Sequence, residues 1–202
     1  MSNSEDSAIK CIILGEMFVG KTNLINIASG AGFNNDYQST AAPTFSIVKV
    51  LINEKEYHIQ LWDTIGQEKF RTLTKLFYNN SKIVIFAYDI TRRDTFEEIK
   101  NYWVKDVEEK LGKNIIRGIV GNKFDLFMNE QVTQEEGEEY AKSIGALFLL
   151  TSAKTDSPKK FEGFLTKLYE QYLIKNTVNQ TSNKNKKKIF LNKKKKNSKN
   201  CC

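Results

Sequence analysis

A chain of 202 residues with 40% hydrophobic residues and only two prolines is long enough for one domain with a real core, and too apolar to be disordered throughout. Its net charge of +7 is local: residues 175–202 hold ten lysines and no acidic residue, which leaves the first 174 residues at −3 and argues against a folded nucleic-acid-binding face. No apolar run approaches the roughly 18 residues of a membrane span, and the acidic, polar start MSNSEDS reads as neither a secretory signal nor, without glycine at position 2, a myristoylation site.

The first apolar run, IKCIIL (9–14), predicts a buried strand that ends in GEMFVGKT (15–22). Gly15, Gly20, Lys21 and Thr22 meet the frame G-x-x-x-x-G-K-[ST], and a helical pattern follows at 20–29. In that context the backbone N–H groups of the loop, those of Met17, Phe18 and Val19 included, wrap a polyphosphate at the N-terminus of the helix. Lys21 then reaches the outer phosphates, and the Thr22 hydroxyl holds Mg²⁺. Cys11 lies inside this first strand; with Cys201 and Cys202 at the far end it makes no disulfide framework and points to a reducing cytosol.

FSIVKVLI (45–52) and YHIQLWD (57–63) are joined only by Asn53-Glu54-Lys55-Glu56, which predicts an antiparallel hairpin. His58, in the second of these runs, has no cysteine or histidine near it and reads as an ordinary strand residue. Asp63 closes that strand and opens the run Asp63-Thr64-Ile65-Gly66-Gln67. An acidic residue there holds the metal from the other side. Gly66 permits close approach to a terminal phosphate, and Gln67 is placed to orient an attacking water. A helical pattern (67–79), a strand KIVIFAY (82–88) and a second helical pattern (93–111, with Asp94 or Thr95 as its cap) come next.

Gly121-Asn122-Lys123-Phe124-Asp125 ends the strand IIRGIVGNK (115–123). A carboxylate held there accepts both the N1–H and the 2-amino group of guanine, a pair of donors that adenine lacks. Thr133 and Glu136 form a capping box for a helix over 133–144. The strand ALFLLTS (146–152) runs into Thr151-Ser152-Ala153-Lys154, whose N–H groups fall near the base oxygen, and a last helix covers 158–174. Beyond Lys175 the composition is Asn, Lys, Ser and Thr, with almost nothing to bury, and predicts disorder. The whole predicts a three-layer α/β domain over 8–174: a six-stranded sheet, mostly parallel with one antiparallel edge, flanked by about five helices, between a short N-terminus (1–7) and a tail (175–202).

GEMFVGKT, WDTIGQEKF, YDIT, GNKFD and TSAK stand in the order and spacing of the Ras-like small GTPases, and WDTIGQEKFRTLT, YDIT and the final Cys201-Cys202 most resemble the Rab branch, regulators of vesicle traffic. The resemblance implies a P-loop GTPase domain that binds GTP or GDP with Mg²⁺ and hydrolyses GTP. It assigns Thr40 as the first-switch residue that ligates Mg²⁺ when the γ-phosphate is present, Phe33 as the aromatic on the guanine and Tyr37 as the one over the phosphates. By the same resemblance Asn23, Asn122, Lys123, Asp125, Ser152, Ala153 and Lys154 join the nucleotide site.

For partners the resemblance implies a monomer served by an exchange factor, a GTPase-activating protein, effectors, an escort protein and a GDP-dissociation inhibitor, and no nucleic acid. Cys201 and Cys202 resemble a double geranylgeranylation site, and two lipid chains anchor stably where one does not. Lysines 186–188 and 193–196 would each add about 1 kcal/mol at an anionic leaflet. The expected place is therefore the cytoplasmic face of an intracellular membrane, in exchange with the cytosol.

Four departures from the family pattern stand out: Met17-Phe18 where small residues are usual, Ile65 before Gly66, Ala41-Ala42 with Pro43 after Thr40, and Leu150 in place of a glutamate. They leave binding intact if Phe18 needs no positive φ, and predict slow hydrolysis, since bulk at Met17 crowds the water-orienting glutamine. A GTP-locked tether that does not cycle is the alternative. A nuclear GTPase using the basic tail, and an ATP-using kinase, fit fewer of the motifs.

Overall fold

The computed structural model describes residues 8–35, 40, 42–64 and 75–197, with side chains described as far as residue 177. Six strands, β1 (Ile9–Leu14), β2 (Thr44–Ile52), β3 (Lys55–Asp63), β4 (Ser81–Asp89), β5 (Ile116–Asn122) and β6 (Leu147–Leu150), form one sheet in the order β2-β3-β1-β4-β5-β6. Every pairing is parallel except β2 with β3, as the short connection between them demands. Asn53 and Glu54 alone make that turn, both at positive φ (49° and 63°), the geometry that matches the twist of a two-residue hairpin.

The apolar runs are continuous because the central strands are covered on both faces. Along β1, Cys11 and Ile13 enter one core while Ile12 and Leu14 enter the other. Along β4, Ile83, Ile85 and Ala87 alternate in the same way with Val84, Phe86 and Tyr88. The first core is closed by Leu24 and Ile27 of α1 (Lys21–Ala28) and by Phe161, Leu165 and Leu168 of α5 (Pro158–Asn197). The second is closed by Phe96 of α2 (Arg93–Glu98), Val107 of α3 (Val104–Leu111) and Ala141 of α4 (Gln134–Ser143).

Three elements differ from the sequence-based expectation. The pattern over 93–111 is divided by a π-helical turn, Ile99–Trp103, which joins α2 to α3 and buries Trp103. Neither Asp94 nor Thr95 caps α2: the cap position is Arg92, and the Thr95 hydroxyl bonds back to the Arg92 carbonyl at 2.7 Å. The last helix continues past Lys175 to Asn197, where composition predicts disorder; no proline or glycine follows Gly163 within it, and extending a formed helix is far easier than nucleating one. The capping box of α4 is present, with Glu136 N–H donating to the Thr133 hydroxyl at 3.2 Å. Most of the helix expected over 67–79 lies outside the described residues; within them, Lys75–Phe77 forms a 3₁₀ turn.

Candidate nucleotide site

The loop Gly15–Thr22 leaves β1 at the carboxyl edge of the sheet, where open α/β folds bind their ligands. Its glycines answer to what lies behind them. A Cβ on Gly15 would sit 2.1 Å from the Ala87 carbonyl oxygen, and one on Gly20 would sit 2.3 Å from Asn122 Nδ2. Lys21 is buried, and its Nζ donates to the carbonyls of Gly15 (2.9 Å) and Glu16 (2.8 Å), spanning the loop from within. Burial lowers its pKa to about 8, against the opposing attraction of Asp63 and Glu16.

Phe18 takes φ 66°, the left-handed region, with its side chain 44% exposed. The condition for an unstrained loop is therefore not met at Phe18, although the ring does point outward. Met17 has no such φ and is half-buried.

Thr22 Oγ1 donates to Asp63 Oδ2 at 2.7 Å, Thr40 Oγ1 donates to the same oxygen at 3.1 Å, and the two hydroxyls are 3.1 Å apart. Asp63 is buried, and its Oδ1 has no hydrogen-bond partner among the described residues. Two hydroxyls gathered on one oxygen of a carboxylate whose other oxygen is unpartnered make a set of hard donors that suits Mg²⁺, which takes few protein ligands and completes its shell with water and phosphate. The described residues hold no group of three His, Cys, Asp or Glu side chains that could hold a metal ion.

On the base side, Asn122 ties two loops together. Its Nδ2 donates to the Val19 carbonyl (2.8 Å), and its Oδ1 accepts from the Ala153 N–H (3.0 Å). Asn122→Ala removes both bonds from the interior and should lower the unfolding free energy by about 2–3 kcal/mol in urea denaturation. Ser152 Oγ donates to Asp125 Oδ1 at 2.6 Å and accepts from the N–H groups of Lys154 and Thr155. Lys123 turns at φ 68° and pairs with Asp89 at 2.7 Å. Asn23 spends its amide on the backbone of Asn34, donating to its carbonyl and accepting from its N–H (both 3.0 Å), which fixes the loop carrying Phe33. Phe33 is half-buried against the first core.

The phosphate loop, the oxygen cluster and the base-side runs thus share one edge of the sheet. The Ras family model matches residues 10–173, nearly the whole of the domain just described. The chain belongs to the Ras family of small GTPases. Among its relatives, Ras-related protein Rab-8B of Homo sapiens is 37% identical over 166 residues, covering 82% of this chain and 79% of the relative. Ras-related protein Rab-8 of Diplobatis ommata is 39% identical over 166 residues, covering 82% and 78%. Ras-related protein Rab-21 of Homo sapiens is 41% identical over 147 residues, covering 73% and 65%. As a Rab-like GTPase the chain binds GTP and GDP with Mg²⁺ and acts as a GTP hydrolase.

Tyr37, Ile65, Gly66, Gln67, Cys201 and Cys202 lie outside the described residues. Sequence reasoning missed four contacts of the GTPase loop and its surroundings. Thr64 Oγ1 donates to the Ile13 carbonyl (2.5 Å), Trp103 Nε1 to Glu16 Oε1 (3.0 Å) and Arg92 Nη1 to the Met17 carbonyl (3.2 Å), while Asp89 holds Lys123. Asp89 alone carries a usable signal, since it closes β4 as Asp63 closes β3.

Proposed function

We propose that this GTPase is a membrane-anchored switch of vesicle traffic, with a nucleotide domain over 8–174 and a lysine-rich tail over 175–202 that carries prenyl groups on Cys201 and Cys202. Support comes above all from the oxygen cluster of Thr22, Thr40 and Asp63. It joins a residue of the phosphate loop to one of the first switch through a single carboxylate, so that a γ-phosphate and Mg²⁺ arriving there would order the segment around Thr40 and hydrolysis would release it. The effector surface exists while that segment is held.

In this scheme Gly15, Met17, Phe18, Val19, Gly20 and Lys21 carry the phosphates, Asn23 and Phe33 flank the nucleotide, Tyr37 closes over it, and Asn122, Lys123, Asp125, Ser152, Ala153 and Lys154 read guanine. Gly66 meets the γ-phosphate and Gln67 orients water. Exchange factor, activating protein, effectors, escort protein and dissociation inhibitor act on the monomer. No described helix is long and apolar enough to cross a membrane. In this scheme the lipids and the tail lysines make the attachment.

The test has two arms. Nucleotide extracted from the purified protein should be GTP or GDP, and adenine nucleotide in its place would end the guanine assignment. In cell fractionation, Cys201→Ser with Cys202→Ser should move the protein from membranes to the soluble fraction, because both anchoring chains are lost together; undiminished membrane binding would sink the lipid account.

The bulk of the half-buried Met17 in the phosphate loop favours a second outcome for the same site, a switch that binds GTP but turns it over slowly, which at its limit is a GTP-locked tether.

A further inference from the structure

Arg92 belongs to none of the motifs above. It sits between β4 and α2, and its guanidinium reaches across to the phosphate loop, with Nη1 on the Met17 carbonyl at 3.2 Å and Nη2 on Asp94 Oδ2 at 2.7 Å. Its backbone is pinned as well. The Arg92 N–H donates to the Asp89 carbonyl (2.9 Å), the Thr95 hydroxyl donates to the Arg92 carbonyl (2.7 Å), and Asp89 pairs with Lys123 on the base side. The arginine is thus a strut from a rigid strand end to the outside of the loop.

The Met17 carbonyl and the Phe18 N–H belong to one planar trans peptide and point in opposite directions. A donor that fixes the carbonyl outward therefore fixes the N–H inward, toward the space the loop encloses. That same peptide sets φ at Phe18. Turning it over would carry Phe18 from φ 66° into the negative-φ region open to any side chain, relieving the strain of a bulky residue held left-handed, and would aim the N–H away from the ligand. Strained backbone of this kind persists only where its surroundings over-determine it.

We propose that Arg92 is a positioning residue for nucleotide binding: it locks the Met17–Phe18 peptide with its N–H facing the phosphates, a hold that a bulky residue at position 18 requires and a glycine there would not. This rests on Gly15–Thr22 being the phosphate loop. The ligand is the β- and γ-phosphate region of a guanine nucleotide.

The test is release of fluorescent methylanthraniloyl-GDP from the full-length chain with Mg²⁺ present, followed by stopped flow for wild type, Arg92→Gln, Phe18→Gly and the double variant. Arg92→Gln should speed release about tenfold, the size of a lost charge-assisted hydrogen bond. In the Phe18→Gly background the same change should matter by less than about twofold, because non-interacting sites would instead add. Arg92→Lys, which still offers a donor, should fall between wild type and Arg92→Gln. Asp94→Asn, which leaves the Met17 contact in place, should stay within about twofold of wild type. Equal acceleration by Arg92→Gln in both backgrounds, no acceleration in either, or Asp94→Asn matching Arg92→Gln would each overturn the proposal. A wild-type chain that takes up no labelled GDP would instead refute the phosphate loop itself. Circular dichroism of each variant confirms the fold, which the half-exposed Arg92 side chain should not disturb.

Discussion

Asp125→Ala should reduce the preference for GTP over ATP by about 10³–10⁴-fold, because a site built on hydrogen bonds to one base loses its discrimination when the half-buried acceptor goes. The carboxylate is pre-aimed. Ser152 Oγ holds Asp125 Oδ1 at 2.6 Å, and that hydroxyl is itself fixed by the N–H groups of Lys154 and Thr155. Asp156 closes the arrangement, its Oδ2 accepting from the Ser152 N–H and the Thr151 hydroxyl (both 2.9 Å) and pairing with Lys160 at 2.7 Å. No reorganisation is then needed when guanine enters, and an adenine would leave the carboxylate without its two donors. Competition of unlabelled GTP and ATP against labelled GDP measures the ratio. Wild-type protein that accepts both equally would remove the guanine assignment, and an unchanged ratio in the variant would move the specificity away from Asp125.

That a carboxylate at position 125 faces the loop from Ser152 is legible in the amino-acid order alone, and the reason is general. Strands of a doubly covered sheet announce themselves as apolar runs, and the ligand edge of such a sheet is wherever those runs end. Lys21, Asp63, Asn122 and Ser152 all stand at or just beyond a strand end, so reading strand ends is enough to assemble them. Contacts whose partners share no periodicity cannot be read in this way. Arg92 and Met17 are 75 residues apart, and Glu16 and Trp103 are 87 apart. Trp103 is delivered to Glu16 by a π-helical turn that a 3.6-residue pattern averages away. Phe33 reads as core and is partly core, being half-buried against the first cluster; only the resemblance gives it a second role. The cap of α2 escapes a reading by residue type because Asp94 and Thr95 are both good capping types, yet the Asp94 carboxylate pairs with Arg92 and the Thr95 hydroxyl meets the Arg92 carbonyl and the Asp89 N–H.

The Met17→Ser, Phe18→Gly double variant should hydrolyse bound GTP up to about a hundredfold faster than wild type in a single turnover, since displacing a reacting group by about 1 Å is worth that much. Affinity and turnover part company at these two residues. The Phe18 ring is outside the loop and 44% exposed, so it leaves the cradle of N–H groups open while its φ of 66° makes the loop depend on outside support. Met17 is half-buried and its own carbonyl is the one Arg92 grips; by the family resemblance a long side chain at that place is expected to crowd the water that Gln67 would orient. Serine at 17 and glycine at 18 remove the bulk and the strain together while keeping Lys21, Thr22 and Asp63 as they are. Equal rates for the two proteins would show that neither residue limits the chemical step. Gln67→Leu in the otherwise unaltered chain separates a cycling switch from a tether, since a tether would show no drop in rate, and the same change added to the double variant tests what carries the gained rate. If the gained rate disappears, the glutamine works once room is made for it; if the rate stays, the water is activated by some other group.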